Sequence, residues 1–235
     1  MRTTAADVLR SLAFYAAFYL GSVVLVLMAL VALTISDKAL RAVVRAWAGH
    51  HRLCARWLLG IKVVMEGKPP KGGVLVAVKH ESFFEAIDLP LQMDQPVPLP
   101  KAELLRIPGW GRAARHYGVV AVERAGGAKS LRRMVADART FTQDGRPLVI
   151  FPEGTRVPTG QHAPLQSGFA GLYKLLDLPV VPVAVNSGRL YHRLWKKPGT
   201  ITVRVGERIE RGLPRPEAEA RVLAAINALN QDAEA

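Results

Sequence analysis

The sequence predicts a layered α/β fold: a mixed, partly parallel sheet flanked by helices, with an N-terminal membrane-anchoring helix pair. Three observations carry this. An uncharged apolar run fills 11–35, and a helix crossing a hydrocarbon core needs about 20 such residues. Beyond Gly60, short β-branched runs alternate with helical stretches, the pattern of a buried sheet layered with helices. A chain of 235 residues, 50% hydrophobic, is long enough for one α/β domain with a full core plus an appended segment. The expected division is therefore an anchor over 1–60 and one domain over 61–235.

Taken in order, the first element is the apolar run. Arg10 closes it on one side, and Asp37 and Lys38 on the other. Phe14, Tyr15, Phe18 and Tyr19 cluster towards one end, as interfacial aromatics do. A cleaved signal peptide competes with the anchor reading, but the apolar region of such a peptide spans about 7–15 residues, and no convincing small-x-small cleavage site follows this run. A buried core helix is the other competitor. Next, 37–60 reads as a basic amphipathic helix. Arg41, Arg45, Arg52 and Arg56 fall within an arc of roughly 60° at helical spacing. Leu40, Val43, Trp47, Cys54 and Leu58 take the opposite side. Such a helix suits a lipid headgroup layer, with a surface helix packed on the domain as the alternative. A true span and a hairpin entering one leaflet both fit. The Lys and Arg excess after the run places the catalytic side of the chain on the cytoplasmic face.

Strands are then predicted over 61–65, 73–78, 118–122, 148–151, 180–185 and 201–205. Helices are predicted over 84–93, 128–143, 166–176 and 217–230, the last preceded by Pro214 and Pro216. No internal repeat or low-complexity tract interrupts the pattern.

The net charge of +13 and a pI near 10.4 call for a polyanion: nucleic acid, an anionic membrane surface or a phosphorylated substrate. No helix-turn-helix or RNA-binding signature is present. Much of the charge flanks the apolar run instead, where each basic residue near anionic lipid contributes about 1 kcal/mol. Nucleic acid is therefore not an expected partner. Cys54 is the one cysteine, which excludes an intrachain disulfide and a Cys-rich metal site; it reads as a small buried hydrophobe. His50, His51, His116, His162 and His192 show no ligand-like grouping.

Two motifs carry chemistry. In Lys79-His80-Glu81-Ser82-Phe83-Phe84-Glu85, His80 ends a predicted strand and Glu85 opens a predicted helix. Within one helix their side chains would point about 140° apart. Across a strand-to-helix turn the carboxylate can reach the imidazole, orient it and stabilise its protonated form, the arrangement of a general base with its orienter. In Phe151-Pro152-Glu153-Gly154-Thr155-Arg156, a turn follows an apolar strand, where α/β sheets place ligand sites. Gly154 permits close backbone approach, Glu153 can bond a substrate hydroxyl, and Arg156 offers a planar fork for phosphate. Taken singly, each motif also has a bland reading, a helix-capping histidine or a tight turn with a surface ion pair.

Together the motifs resemble the glycerolipid acyltransferase family, in particular the bacterial 1-acylglycerol-3-phosphate acyltransferases. That family carries H-x-x-x-x-D, a basic block ending in an acid-Arg pair, F-P-E-G-T-R and a V-P-V strand, in this order. Here the second block matches 118–124, ending in Glu123-Arg124, and the fourth matches Val181-Pro182-Val183. Glu85 and Glu123 stand where the family usually has Asp, and Val157 where Ser commonly follows. The resemblance implies transfer of a fatty acyl group from an acyl thioester, coenzyme A or acyl carrier protein, to the free hydroxyl of lysophosphatidic acid. It implies that His80 is the base, oriented by Glu85, and that Lys101, Arg124, Glu153, Gly154, Thr155 and Arg156 bind substrate. With the thioester already activated, no cofactor or metal is expected. Ser82 is the rival as a covalent nucleophile. Another lysolipid, such as a lyso-ornithine lipid, is the alternative acceptor, and a catalytically silent lipid-binding protein the alternative class. The implied location is the bacterial inner membrane.

Overall fold

The computed structural model describes residues 3–123 and 127–230. Helix α1 (Ala5–Ala32) starts earlier than the uncharged run, because Thr4 and Asp7 form a reciprocal capping box ahead of it. Helix α2 (Asp37–Leu59) is opened by Ser36, whose side chain accepts from the Ala39 N–H, and closed by Gly60 at φ 72°. There follow β1 (Ile61–Glu66), β2 (Leu75–Val78), α3 (Phe84–Gln92), β3 (Val97–Pro98), a 3-10 turn (Ala102–Arg106) and α4 (Trp110–Tyr117). The chain continues through α5 (Gly127–Gln143), β4 (Leu148–Ile150), α6 (Ser167–Leu176), β5 (Val180–Val185), α7 (Gly188–Tyr191), β6 (Gly199–Val205) and α8 (Arg215–Ile226).

The strands form one six-stranded sheet in the order β1-β6-β5-β2-β4-β3. Only β5 and β6 pair antiparallel; β2 lies parallel between β5 and β4. Their C-terminal ends therefore sit side by side, the edge where open α/β sheets place their sites. Alternate residues of β2 serve opposite faces, as strand geometry requires. Val76 and Val78 join Phe14 and Phe18 of α1, Leu59 of α2 and Phe84 of α3 in one core cluster. Leu75 and Ala77 join Ala138 of α5, Phe169 of α6 and Val222 of α8 in the other.

The N-terminal pair is thus a layer of the fold. Asp7, Ser11 and Tyr15 line one side of α1, and each grips the segment 194–197. Lys197 forms a buried ion pair with Asp7, the Lys196 N–H donates to Ser11 Oγ at 2.8 Å, and Tyr15 donates to the Leu194 carbonyl at 2.6 Å. The core crosses the boundary expected at 60 without interruption. Further along α1, Leu20, Val23, Val24, Leu27 and Val31 remain exposed. Among the described residues, α1 is the one helix long and apolar enough to cross a membrane.

Helix α2 departs from its expected role. Leu40, Ala48, Cys54, Ala55 and Leu59 bury its apolar side against protein, so that side is not available to lipid. Arg52 turns to α3, bonding Asp88 bidentately at 2.9 and 2.5 Å, and Arg45 donates to the Pro90 carbonyl at 3.1 Å. Of its large apolar side chains, α2 leaves Leu53 and Trp57 exposed, with Arg56 stacked on the Trp57 ring at 5.7 Å.

The strand predicted over 118–122 is not one. The segment runs beside 98–102, with Val120 N–H donating to the Pro98 carbonyl at 3.1 Å and Val122 N–H to the Pro100 carbonyl at 2.9 Å. Pro98 and Pro100 have no N–H to return, so the ladder reduces to the single bridge Lys101–Val122. The short β3, the 3-10 turn, α4 and α7 were not expected from the sequence.

Candidate active site

The edge formed by β5, β2 and β4 collects three segments. From β2 comes 79–85, from β4 comes 151–157, and from β5 comes 186–188. His80 follows β2 directly, and its ring stacks on Phe151 with centroids 4.1 Å apart. Phe151 and the expected motif around it are therefore locked to the imidazole face. The segments are also stitched by backbone, since Val157 N–H donates to the His80 carbonyl at 2.8 Å. This is the work done by the position where a Ser was expected, and it needs no hydroxyl.

Glu85 sits in the first turn of α3 and is fully buried. Its Oε2 accepts from the Ser82 N–H at 3.0 Å and lies 3.5 Å from His80 Nδ1. That separation is longer than a formed hydrogen bond, and Nδ1 has no hydrogen-bond partner. Nδ1 is turned to Glu85 and the side chain is 16% exposed, so Nε2 is the ring nitrogen not directed at that carboxylate.

Glu153 is not where the sequence reading put it. Its carboxylate is buried, with Oε1 2.6 Å from Lys79 Nζ and Oε2 accepting from the His80 N–H at 3.4 Å. Lys79 is itself buried and donates to Asn227 Oδ1 at 2.8 Å, and to the Gln161 carbonyl at 3.2 Å. A charge placed between β2 and β4 without partners would be costly, so each carboxylate and ammonium is satisfied here by the other. The pair holds the backbone of His80, and Glu153 faces no open space.

Gly154 turns at φ 69°, and a side chain there would meet Gln166 at 2.6 Å. Thr155 and Arg156 then emerge on the surface. The Arg156 guanidinium lies 4.4 Å over the ring of Phe83, a cation–π platform between the first and third motifs. Lys101 is exposed at the head of the 3-10 turn and bridges to Val122, next to the second block. Arg124, which closes that block, lies outside the described residues.

Ser82 is buried, and its Oγ accepts from the Phe84 N–H at 3.0 Å and contacts Ser187 Oγ at 2.7 Å. A hydroxyl turned inward in this way cannot approach a thioester. Burial pushes the neighbouring Glu81 carboxyl up to about 7, although hydrogen bonds from Thr159 and Gly188 oppose the rise. Its Oε2 accepts from Thr159 Oγ1 and from the Gly188 N–H, both at 2.7 Å. Sequence reasoning stopped at Val181-Pro182-Val183 and missed Asn186, Ser187 and Gly188. The available signal was a small polar turn at the C-terminal end of an apolar strand.

Comparison with known proteins agrees with this geometry. The family profile described as Acyltransferase matches residues 60–186, which takes in the sheet edge as far as Asn186. The chain is 32% identical over 199 residues to the 1-acyl-sn-glycerol-3-phosphate acyltransferase of Pseudomonas aeruginosa, spanning 83% of this chain and 75% of the relative. It is 30% identical over 162 residues to the 1-acyl-sn-glycerol-3-phosphate acyltransferase alpha of Mus musculus, covering 65% of this chain and 56% of that one. The fold is similar to the crystal structure of PlsC, the 1-acyl-sn-glycerophosphate (LPA) acyltransferase of Thermotoga maritima. The TM-score is 0.78 at 21% identity, over 97% of this chain and 96% of that one. With the segments 79–85 and 151–157 on one sheet edge and more than half its length matched by the profile, this chain belongs to the acyltransferase family.

Proposed function

We propose that the chain moves a fatty acyl group from an acyl thioester to the free sn-2 hydroxyl of lysophosphatidic acid, giving phosphatidic acid for phospholipid synthesis. The observation that carries this reading is the buried carboxylate of Glu85, 3.5 Å from His80 Nδ1 on the edge to which Arg156 is also delivered. His80 Nε2 takes the proton of the acceptor hydroxyl as that oxygen attacks the thioester carbonyl carbon. The C–S bond breaks, and the departing thiol of coenzyme A or acyl carrier protein takes the proton back from His80. Glu85 holds the imidazole in the tautomer that leaves Nε2 free and stabilises its charged form. Lys101, Arg124 and Arg156 bind the phosphate, with Thr155 and the Gly154 backbone beside it. The sequence reading gave Glu153 to the glycerol; its ion pair with Lys79 supports a positioning role instead.

The surface supports a bilayer as partner. The exposed Leu and Val side chains of α1, with Leu53 and Trp57 of α2, give an apolar face, and the net charge of +13 favours anionic lipid. The Lys and Arg excess beyond α1 favours the cytoplasmic face of a bacterial inner membrane. An apolar cavity of about 110 Å³ between α1, α2, α3 and α4 includes Val26, Trp47, Ala86 and Leu89. Ala86, next in sequence to Glu85, is among its lining residues.

The test is acyl transfer from a defined thioester to lysophosphatidic acid, run in parallel with a lyso-ornithine lipid, using coenzyme A and carrier-protein donors in separate arms. Turnover of lysophosphatidic acid at least tenfold above the other acceptor is expected. Preference for the lyso-ornithine lipid would reassign the acceptor, and no transfer to either would sink the reading.

A further inference from the structure

Buried groups beyond the family motifs converge on the catalytic carboxylate. The turn after β5 is built from Asn186, Ser187 and Gly188, and each has one task. Asn186 Oδ1 accepts from the Thr202 N–H at 2.7 Å, fixing the turn to β6. The Ser187 hydroxyl donates to Glu85 Oε1 in a very short contact. The Gly188 N–H donates to Glu81 at 2.7 Å, and a side chain at 188 would meet Thr159 and Glu81 within 3 Å.

Ser187 is fully buried, as are Ser82 and Glu85. Since Ser187 spends its proton on Glu85, the Ser82 hydroxyl supplies the proton between the two serines, 2.7 Å apart. Ser82 in turn accepts from the Phe84 N–H at 3.0 Å. The result is a one-directional chain from Phe84 N–H through Ser82 and Ser187 to Glu85 Oε1. In a dry site, successive donors of this kind polarise one another. Oε2 faces the Ser82 N–H and His80, with the Ser82 hydroxyl 3.4 Å away.

We propose that Ser187 is a positioning residue for the acyl transfer, which fixes the Glu85 carboxylate so that Oε2 is presented to His80 Nδ1. The assignment rests on the proposed role of His80 and Glu85 as base and orienter. It also accounts for a glutamate where the family usually has aspartate. A side chain one C–C bond shorter, about 1.5 Å, cannot hold Ser187 and His80 together from the same helix position. The serine at the end of β5 and the longer acid on α3 are a matched pair.

Ser187→Ala is the primary variant, with Ser187→Cys as a volume-matched second that keeps a weak donor. Turnover is measured by thiol release with lysophosphatidic acid, for each single variant, for Glu85→Gln and for Ser187→Ala with Glu85→Gln. The loss of a charge-assisted hydrogen bond predicts about a ten- to hundredfold fall in kcat, with KM for both substrates within about twofold. In the Glu85→Gln background, Ser187→Ala should cost less than about twofold more, because its effect passes through the carboxylate. Wild-type kcat in Ser187→Ala, a loss carried by KM, or full additivity with Glu85→Gln would overturn the proposal. If Ser187→Ala does not fold, the same outcomes are read from Ser187→Cys. His80→Ala is run alongside: if it keeps turnover, the dyad reading fails. If it is inactive while Ser187 variants match wild type, only the positioning role fails.

Discussion

Glu85 has no contact with solvent, and its carboxylate is met by the Ser82 N–H and hydroxyl, the Ser187 hydroxyl and His80. Glu85→Asp keeps the charge and withdraws it from at least one of them. Steady-state kinetics should show kcat lowered by about tenfold or more, with the protein still folded; wild-type kcat would mean the carboxylate position is not constrained. One position along from His80, Glu81 offers a stability test. Its folded carboxyl is raised from 4.5 to about 7 by burial, so the folded protein keeps a proton that the unfolded chain releases. The associated stability is present below about pH 4.5 and is lost as pH rises through 7. Glu81→Gln removes this linkage. Its unfolding free energy should equal that of the parent near pH 4 and exceed it near pH 8, by about 3 kcal/mol at most. A difference of the same size at both pH values would contradict the assignment. The placement of His80, Glu85 and Arg156 on one sheet edge was legible because residue type and order carry it. The inward turn of Glu153 was not, since it depends on Lys79 lying beside it across two strands.

Elements carry the site as much as residues do. Helix α3 presents Glu85 from its first turn, and its other end is tied to α2 through Arg52 and Asp88, with Gln92 donating to Asp88 at 2.9 Å. Asp88 is buried, so Arg52→Ala strands a carboxylate in the protein. A loss of about 3 kcal/mol is expected in chemical denaturation; a loss below about 0.5 kcal/mol would place the pair among ordinary surface bridges. Helical periodicity showed the arginine line of α2 without showing what it faces, because an arc of charge suits head groups and a neighbouring acid equally. Likewise, β-branched residues over 118–122 predicted a strand, and two prolines on the partner segment prevented it. Both are tertiary effects that override local pattern.

At the scale of the molecule, the apolar helix α1 and the layered sheet share one core. The N-terminal half of α1 holds the core through Phe14 and Phe18, and its remainder offers an apolar face outward. Deleting residues 1–36 should therefore yield a chain without a cooperative melting transition; a soluble, cooperatively folded and active remainder would show that the layer is dispensable. The α/β class and most of its strands were readable from alternation of pattern. That the anchor would share the core was not, because an uncharged run is equally a membrane face and a buried one. The proposed chemistry stands or falls with His80, oriented by Glu85, as the general base of acyl transfer to a lysophospholipid. Thiol release with a saturating acyl thioester and lysophosphatidic acid reads that role directly, comparing wild type with His80→Ala in the same membranes. A fall in kcat of about a thousandfold is expected, with unchanged melting and membrane association. Retention of more than a tenth of wild-type turnover by His80→Ala would contradict the assignment of the base.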